Sequence, residues 1–356
     1  MRINVICGGE SGERDVSMSS GTAAVQSLLE LGHEVTLIDL AAELPILAGP
    51  LRFPAALPPY HVPNNPPDIE QQRLWRRNIA ASLLDEEVLA CLHDADMTYV
   101  AVHGGWGEDG HLQSWLEMLG VPFTGPRSDA CSAAWHKARA LAILQVASVP
   151  TAPRVIYRAN DPVAESDVRR ILGDGPAVVK PATGGSSVNT SVVRGIEELH
   201  LLDGLAASEG ELLVESYLSG REFTVGVLGE EALPVVEILL ASSLFDYQAK
   251  YQIGAVAEVC PAEISSEFSE QLQEIALRAH RALGFCQYSY SRIDFRCDAD
   301  GMPVCLEVNA LPGLTPGSLL PLAASRVGLS YSQLTERIVD LGVGRVGGAL
   351  AARARG

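Results

Sequence analysis

Four polar residues toward the end of this 356-residue chain are spaced for chemistry. Arg292 and Asp294 fall in one short apolar stretch, Glu307 and Asn309 in the next. Asp298-Ala-Asp-Gly301 between the stretches has the composition of a tight turn, so the segment predicts a β-hairpin. Residues two apart in a strand point to one face. Glu307 and Asn309 therefore share a face, with Asp294 on the partner strand. Three converging oxygen ligands suit hard Mg²⁺, which keeps waters and shares its shell with phosphates. Arg292 joins that face, and a cation there serves a reaction that develops negative charge. A hairpin with solvated carboxylates would show the same residues, but the Pro312-Gly313 turn soon after Asn309 favours a site. The seven cysteines form no Cys-x-x-Cys pair and the eight histidines no His-x-x-x-His, which argues against zinc.

A second cluster lies upstream. Lys180 ends the strand-like run Ala177-Val-Val-Lys and precedes Thr183-Gly-Gly-Ser-Ser187. Backbone N–H groups of such a loop can face phosphate oxygens, and glycine supplies the unusual backbone angles. The lysine precedes the glycines, so this is not a Walker loop. Alone the run would read as a hairpin loop. Together with Lys180, Lys137 and the downstream metal cluster it reads as a nucleotide clamp. Glu215-Ser-Tyr-Leu218 and Glu222 could hold adenine and ribose, although without that context an ordinary strand would be the better reading.

The elements that must position these groups begin with a β-loop-α-β unit. Ile3 to Cys7 predicts a strand, a helix runs to about Leu31, and Glu34 to Asp39 gives the next strand. This opens a Rossmann-like parallel sheet. Residues 44–67 are Pro-rich and read as an irregular surface excursion. A single helix is expected from Ile69 to His93, then a strand from Met97 to Val102. That strand ends in His103-Gly-Gly-Trp-Gly-Glu108-Asp-Gly110, a glycine-rich turn where open α/β sheets bind ligands. A helix over Leu112–Leu119 and a strand over Val121–Gly125 close the first unit. One helix over Asp129–Val146 carries Lys137. Strands are expected at Arg154–Tyr157, Ala177–Lys180, Leu212–Glu215, Glu222–Leu228, Leu233–Ile238, Arg292–Cys297 and Val304–Val308, with helices at Ser266–Leu283 and Ser330–Leu341. The boundaries read as 1–125, 126–215 and 216–343, with 344–356 as a loose tail.

Composition bounds the function. Hydrophobic content of 47% and charged content of 20% are those of a globular protein. A net charge of −18 argues against a nucleic-acid surface. No apolar run is long enough to span a bilayer. The chain enters a strand at once, without the apolar stretch of a secretory signal, and its unpatterned cysteines suit a reducing compartment, so a cytoplasmic protein is expected.

The chain resembles the ATP-grasp superfamily, and within it the D-alanine–D-alanine ligase family. The resemblance rests on Gly8-Gly9-x-Ser11-x-Glu13-Arg14-x-Val16-Ser17, His103-Gly-x-x-Gly107-Glu108-Asp109-Gly110 and Lys180-Pro-x-x-x-Gly185-Ser186-Ser187-Val188. It continues through Glu215-x-x-Leu218-x-Gly-x-Glu222, Phe245-Asp-Tyr247-x-Ala-Lys250-Tyr251, Arg292-x-Asp294 and Glu307-x-Asn309-x-x-Pro-Gly313-x-Thr-x-x-Ser318-Leu319. It implies a mixed α/β, three-domain ATP-grasp enzyme with a Rossmann-like N-terminal domain. Lys137, Lys180, Ser187 and Lys250 would bind ATP phosphates or the loops around them, and Glu215, Leu218 and Glu222 adenine and ribose. Asp294, Glu307 and Asn309 would hold two Mg²⁺ (or Mn²⁺) ions. Glu13 would anchor the first substrate's ammonium, grouped with Ser186 and Tyr251 when the Phe245–Tyr251 lid closes. Arg292 and the Gly313 backbone would stabilise the oxyanion. His103 would lie near the first amino acid, and Ser318 and Leu319 at the second. Tyr251 implies an amine rather than a hydroxy-acid nucleophile, and the family suggests a homodimer.

The chain departs from the family pattern at Ser216, Asn189, Gln287–Ser291 and Pro316-Gly317, which leaves open a specialised ligase for other amino acids. A non-catalytic relative would show eroded metal ligands or phosphate lysines, and none is eroded. A nicotinamide-binding Rossmann enzyme would need Gly-x-Gly-x-x-Gly after the first strand, and Gly8-Gly9-Glu10-Ser11-Gly12 lacks it.

Overall fold

The computed structural model describes residues 1–63, 67–173, 175–185, 189–240 and 256–353. Strand β1 (Arg2–Ile6), helix α1 (Arg14–Glu30) and strand β2 (Glu34–Ile38) form the expected opening unit. The 44–67 segment is not wholly irregular, because β3 (Ile46–Leu51) pairs antiparallel with β2 along the sheet edge. The single helix expected from Ile69 is two, α2 (Ile69–Ser82) and α3 (Glu86–Asp94). Asp85 divides them, its side chain accepting from the Glu87 and Val88 amides as an N-cap. Strand β4 (Met97–Val100) completes a sheet of order β3-β2-β1-β4, in which β2, β1 and β4 run parallel. The strand expected at Val121–Gly125 shrinks to one bridge, Thr98 to Phe123.

Helix α4 (His111–Leu119) leads to α5 (Ser128–Trp135) and α6 (Lys137–Val146), again two helices where one was expected. His136 breaks them with an extended backbone, and Lys137 becomes the first residue of α6. The central sheet has the order β5-β8-β6-β7, from β5 (Arg154–Tyr157), β6 (Ala177–Pro181), β7 (Ser191–Val193) and β8 (Leu212–Ser216). Helices α7 (Pro162–Gly173) and α8 (His200–Glu209) supply Val168, Ile171 and Leu202 to its core.

The third sheet contains β9 (Glu222–Leu228), β10 (Glu231–Ala232), β11 (Val236–Leu240) and β12 (Val256–Val259). Helix α9 (Ser266–Ala282) follows, then β13 (Tyr290–Cys297) and β14 (Pro303–Asn309). Phe223, Val225, Ile293 and Phe295 turn to one face and pack with Leu272, Ile275 and Ala279 of α9. Period-2 alternation sends Glu222, Thr224, Arg292, Asp294 and Arg296 to the other face. The predicted hairpin is present, with Asp294 opposite Glu307 and Arg292 opposite Asn309. The register shifts between Asp294 and Phe295, which pairs with Cys305 and leaves Leu306 as an extra residue. This bulge lets Cys305 enter the core while Glu307 faces the polar side.

Helices α10 (Leu319–Arg326) and α11 (Tyr331–Arg353) return to the first sheet. Leu320, Leu334, Ile338 and Val339 share a core with Ile3, Leu28 and Met97. The tail expected to be loose from Arg345 is helical to Arg353, and Arg345 donates to the Gly125 carbonyl at 2.7 Å and to that of Phe123.

Helix α1 sits close on β1 because residue 21 is glycine. A Cβ there would stand 2.4 Å from Cys7 Cβ. Gly→Ala within a helix ordinarily stabilises by about 0.5–1 kcal/mol. Gly21→Ala should instead destabilise, by about 1–3 kcal/mol through overpacking. Chemical denaturation of both proteins checks this, and a rise in stability would contradict the close packing.

Candidate active site

Loops and a helix of the first unit meet strands of the other two sheets around a cavity of about 520 Å³, within the range of small-ligand sites. It gathers residues from all three expected groups. Lys137, Lys180, Glu215, Leu218 and Glu222 lie on its wall beside Arg292, Asp294 and Glu307, and Glu13 and Leu319 also reach it.

Lys180 Nζ pairs with Glu215 Oε2 at 2.6 Å. Burial alone would lower the lysine's pKa, but Glu215 and Glu307 outweigh it and raise it above the ordinary value, so the side chain stays charged. Lys137 ties to the glycine loop twice. Its amide donates to the Ala182 carbonyl at 2.8 Å, and its ammonium to that of Gly184. Two cations are thus set at the loop expected to cover phosphates. Ser186 and Ser187 of that loop lie outside the described residues.

Asp294 is fully engaged. Oδ1 accepts from Thr224 Oγ1 at 2.6 Å and Arg292 Nε at 2.8 Å, and Oδ2 from Arg292 Nη2 at 2.8 Å and Asn309 Nδ2 at 2.9 Å. Arg292, Asp294 and Asn309 therefore form one bonded group, with Glu307 opposite Asp294 in the ladder. Among the described residues no three His, Cys, Asp or Glu side chains gather as a metal set. Two carboxylates and an amide oxygen still fit Mg²⁺, which is commonly held by one or two carboxylates with phosphates and water completing the shell.

Glu13 stands just before α1. Its amide donates to Ser11 Oγ at 3.0 Å, and Ser11 in turn donates to the His103 carbonyl at 2.6 Å. Cβ atoms placed on Gly104 and Gly185 would come within 2.7 and 2.8 Å of Glu13 Oε2. The carboxylate is therefore gripped between the first unit's glycine turn and the phosphate loop, and the positive φ of 68° at Gly104 allows the approach.

Several expected residues stand elsewhere. His103 is buried and off the cavity wall, with Nε2 2.9 Å from Ser20 Oγ and Nδ1 3.0 Å from the Leu311 carbonyl. Burial lowers its pKa, against the pull of Glu13 and the Leu311 bond. Gly313 and Ser318 are also off the wall. Ser318 Oγ accepts from the Thr315 amide at 3.2 Å and lies 2.8 Å from Thr315 Oγ1, while Leu319 reaches the wall. Lys250, Tyr251 and the Phe245–Tyr251 lid lie outside the described residues.

The sequence reading missed other wall residues. Arg296 continues the period-2 series from Arg292 and Asp294, lies 3.7 Å from Glu222 and stacks 5.3 Å over Tyr217. Trp135 also lines the cavity, two positions before Lys137. Glu108 was quoted in a motif without a role. Its Oε2 accepts from the Gly104 amide at 3.1 Å.

Burial, then Glu13, pushes the Glu108 carboxyl up to about 8, against the Gly104 and Leu311 amides and the Arg292 charge. The ordinary value is 4.5. Between the two, the folded protein holds a proton that the unfolded chain has lost. Stability contributed by this group therefore falls as pH rises across that window. Glu108→Gln carries no such titration. Its melting temperature relative to the parent should climb between about pH 5 and about pH 8. A difference that does not change with pH would mean that Glu108 is ionised throughout.

Known proteins place this geometry. A family model described as D-ala D-ala ligase N-terminus matches residues 2–126, and one described as D-ala D-ala ligase C-terminus matches residues 144–340. A D-alanine–D-alanine ligase of Anaeromyxobacter sp. (strain Fw109-5) is 35% identical over 344 residues, covering 95% of this chain and 96% of the relative. One from Halalkalibacterium halodurans is 36% identical over 349 residues, covering 96% and 99%. The crystal structure of D-alanine–D-alanine ligase from Bacillus anthracis complexed with ATP superposes with a TM-score of 0.74 at 28% identity, covering 97% of each chain. Relatives and family models span both halves of the fold, and the chain belongs to the D-alanine–D-alanine ligase family of ATP-dependent, ATP-grasp ligases.

Proposed function

We propose that the chain joins two D-alanines, with ATP hydrolysis, into D-alanyl-D-alanine for peptidoglycan. The observation that carries the chemistry is a single cavity holding Lys137, Lys180, Arg292, Asp294, Glu307 and Glu13. Curated relatives covering nearly the whole chain bear the D-alanine name, which favours this reading over a specialised ligase for other amino acids.

A carboxylate is a poor electrophile; it takes the terminal phosphoryl group of ATP, releasing ADP, and becomes an acyl phosphate whose acyl carbon the second amino acid's amine attacks, so that the amide bond forms as inorganic phosphate leaves and the amine gives up its proton. Lys137 and Lys180 bind the phosphates and align the terminal one, with Lys180 shared between Glu215 and phosphate oxygen. Glu215, Leu218 and Glu222 hold the nucleoside end. Glu13 takes the first amino acid's ammonium, which turns its carboxylate toward the terminal phosphate. Mg²⁺ held by Asp294, Glu307 and Asn309 would supply charge to offset the transferring phosphoryl group. Arg292, held by Asp294 at the cavity wall, faces the charge of the tetrahedral intermediate, and the Gly313 amide is its proposed partner. Ser318 and Leu319 receive the second amino acid. Water would hydrolyse the intermediate, so the Phe245–Tyr251 segment is proposed as the lid, with Ser186 and Tyr251 completing a group with Glu13.

We read 1–125, 126–215 and 216–343 as three domains, supported by one sheet in each. A cytoplasmic setting is supported by the demand for ATP and by seven unpaired cysteines. Among the described residues no helix is long and apolar enough to cross a membrane. A homodimer is proposed on the family resemblance alone.

Phosphate release from ATP should depend on D-alanine, with the dipeptide as product by mass spectrometry. A panel of D- and L-amino acids that revealed a better pair would replace D-alanine with that pair. Glu307→Gln or Asn309→Ala should cut turnover at least about a hundredfold while the fold persists. Turnover within tenfold of the parent at saturating Mg²⁺ would remove these residues from the metal set.

Lys180→Ala should weaken ATP binding about tenfold or more, since a bond to a charged group contributes roughly 1.5–3 kcal/mol. Calorimetric titration of both proteins with ATP decides it, and equal affinities would assign Lys180 to structure alone.

A further inference from the structure

One loop of the first unit reaches the Leu311 peptide. The Leu311 carbonyl accepts from His103 Nδ1 at 3.0 Å, and Glu108 closes the same loop on itself. Both side chains are themselves anchored. His103 Nε2 lies 2.9 Å from Ser20 Oγ on α1, and Glu108 Oε2 accepts from the Gly104 amide at 3.1 Å. The Leu311 carbonyl can only accept, so Nδ1 carries a proton, and burial, which lowers the ring's pKa, favours the neutral form with Nε2 accepting from Ser20. Neither His103 nor Glu108 lines the cavity.

The position of Leu311 gives these bonds their meaning. It lies two residues after Asn309 and two before Gly313. The loop that grips it also carries Gly104, which packs against the Glu13 carboxylate. Two adjacent residues, His103 and Gly104, therefore touch the turn from Asn309 to Gly313 and the proposed first-substrate anchor.

We propose that His103 and Glu108 are positioning residues, His103 clamping the Leu311 carbonyl and Glu108 fixing the loop that carries it through the Gly104 amide, and so hold Asn309 and Gly313 at a fixed separation from Glu13. The inference rests on the ligase reading for its rate measurement. Turnover by the parent chain tests that reading first, and the variants then test the clamp. Misplacing reacting groups by about 1 Å can cost about a hundredfold in rate, so a clamp acts on kcat. A substrate contact would act chiefly on KM. If the bonds only satisfied buried backbone groups, their loss would lower stability and leave kcat in place.

His103→Ala, His103→Asn, Glu108→Ala and the double alanine variant separate these cases. Each alanine variant should lose about 30- to 100-fold in kcat, with KM for ATP and both amino acids within about threefold of the parent. His103→Asn places an amide donor where Nδ1 stood and should recover to within about tenfold of the parent. The double variant should be worse than the poorer single by no more than about threefold, because both side chains act through one loop. A raised first-substrate KM at parental kcat in His103→Ala would make it a substrate contact and overturn the clamp. Parental kcat in both single variants would overturn it too. If an alanine variant fails to fold, Ser20→Ala, which removes the partner of His103 Nε2, takes its place. A kcat lowered at least about threefold at unchanged ATP affinity supports the clamp, and parental kcat overturns it.

Discussion

The site depends on a sheet that keeps charge on one face and the core on the other. On β9 and β13, each of Glu222, Thr224, Arg292 and Asp294 has a fully buried apolar neighbour one position away, such as Phe223, Val225, Ile293 or Phe295. A register slip of one residue would drive the charged set into α9 and the aromatic rings into the cavity. The apolar face thus specifies where the charges point. The bulge at Leu306 extends the arrangement to β14, where it gives Glu307 the polar face without exposing Cys305.

Burying so many ionised groups is tolerable because each has a partner of opposite sign or a strong donor. Lys180 rests on Glu215, Arg292 on Asp294, and Arg296 near Glu222. Such pairs add little net stability, but removing one member costs about 3–5 kcal/mol. On the proposed reading, ligands would join these pairs rather than enter an uncharged void: a phosphate oxygen would share Lys180 with Glu215, and a divalent ion would share Asp294 with Arg292. The ligand-free pairs hold the side chains near the geometry the reaction uses, which is electrostatic preorganisation.

The hairpin, its turn and the shared face of Arg292, Asp294 and Asn309 were legible in the sequence because strand period and turn composition are local signals. So were the parallel opening unit and the placing of Lys180 at a strand end. The missed breaks at Asp85 and His136 have a common cause. Apolar periodicity continues through each break, and only a capping side chain or one extended backbone residue marks it. The edge strand Ile46–Leu51 was hidden by Pro50, which a sheet edge tolerates. Trp135 on the cavity wall and the bonds from His103 to Leu311 join distant parts of the chain, and no local pattern announces them. Arg296 was within reach, since it extends the same alternation by one step.

The cores divide the molecule differently from the chain order. The last two helices, α10 and α11, share a core with the first sheet, while the central sheet keeps one of its own. Helix α1, which follows Glu13, and Leu311 in the turn after β14 are therefore braced by one core, although about 300 residues separate Glu13 from Leu311 in sequence, while neighbouring Ala310 packs in the core under α9. Leu311 is itself part of that core, 2% exposed. Lys180 stands on the central sheet, while Lys137 and Cys305, met by its loop and by the Thr151–Cys305 bridge, belong to elements packed in the core under α9, together with the strand of Arg292 and Asp294. The contact of Gly185 with Glu13 joins the central sheet's loop to the first body. Three packed bodies thus bound the cavity, and the spacing of the charged groups on its wall is set by how the three are held together.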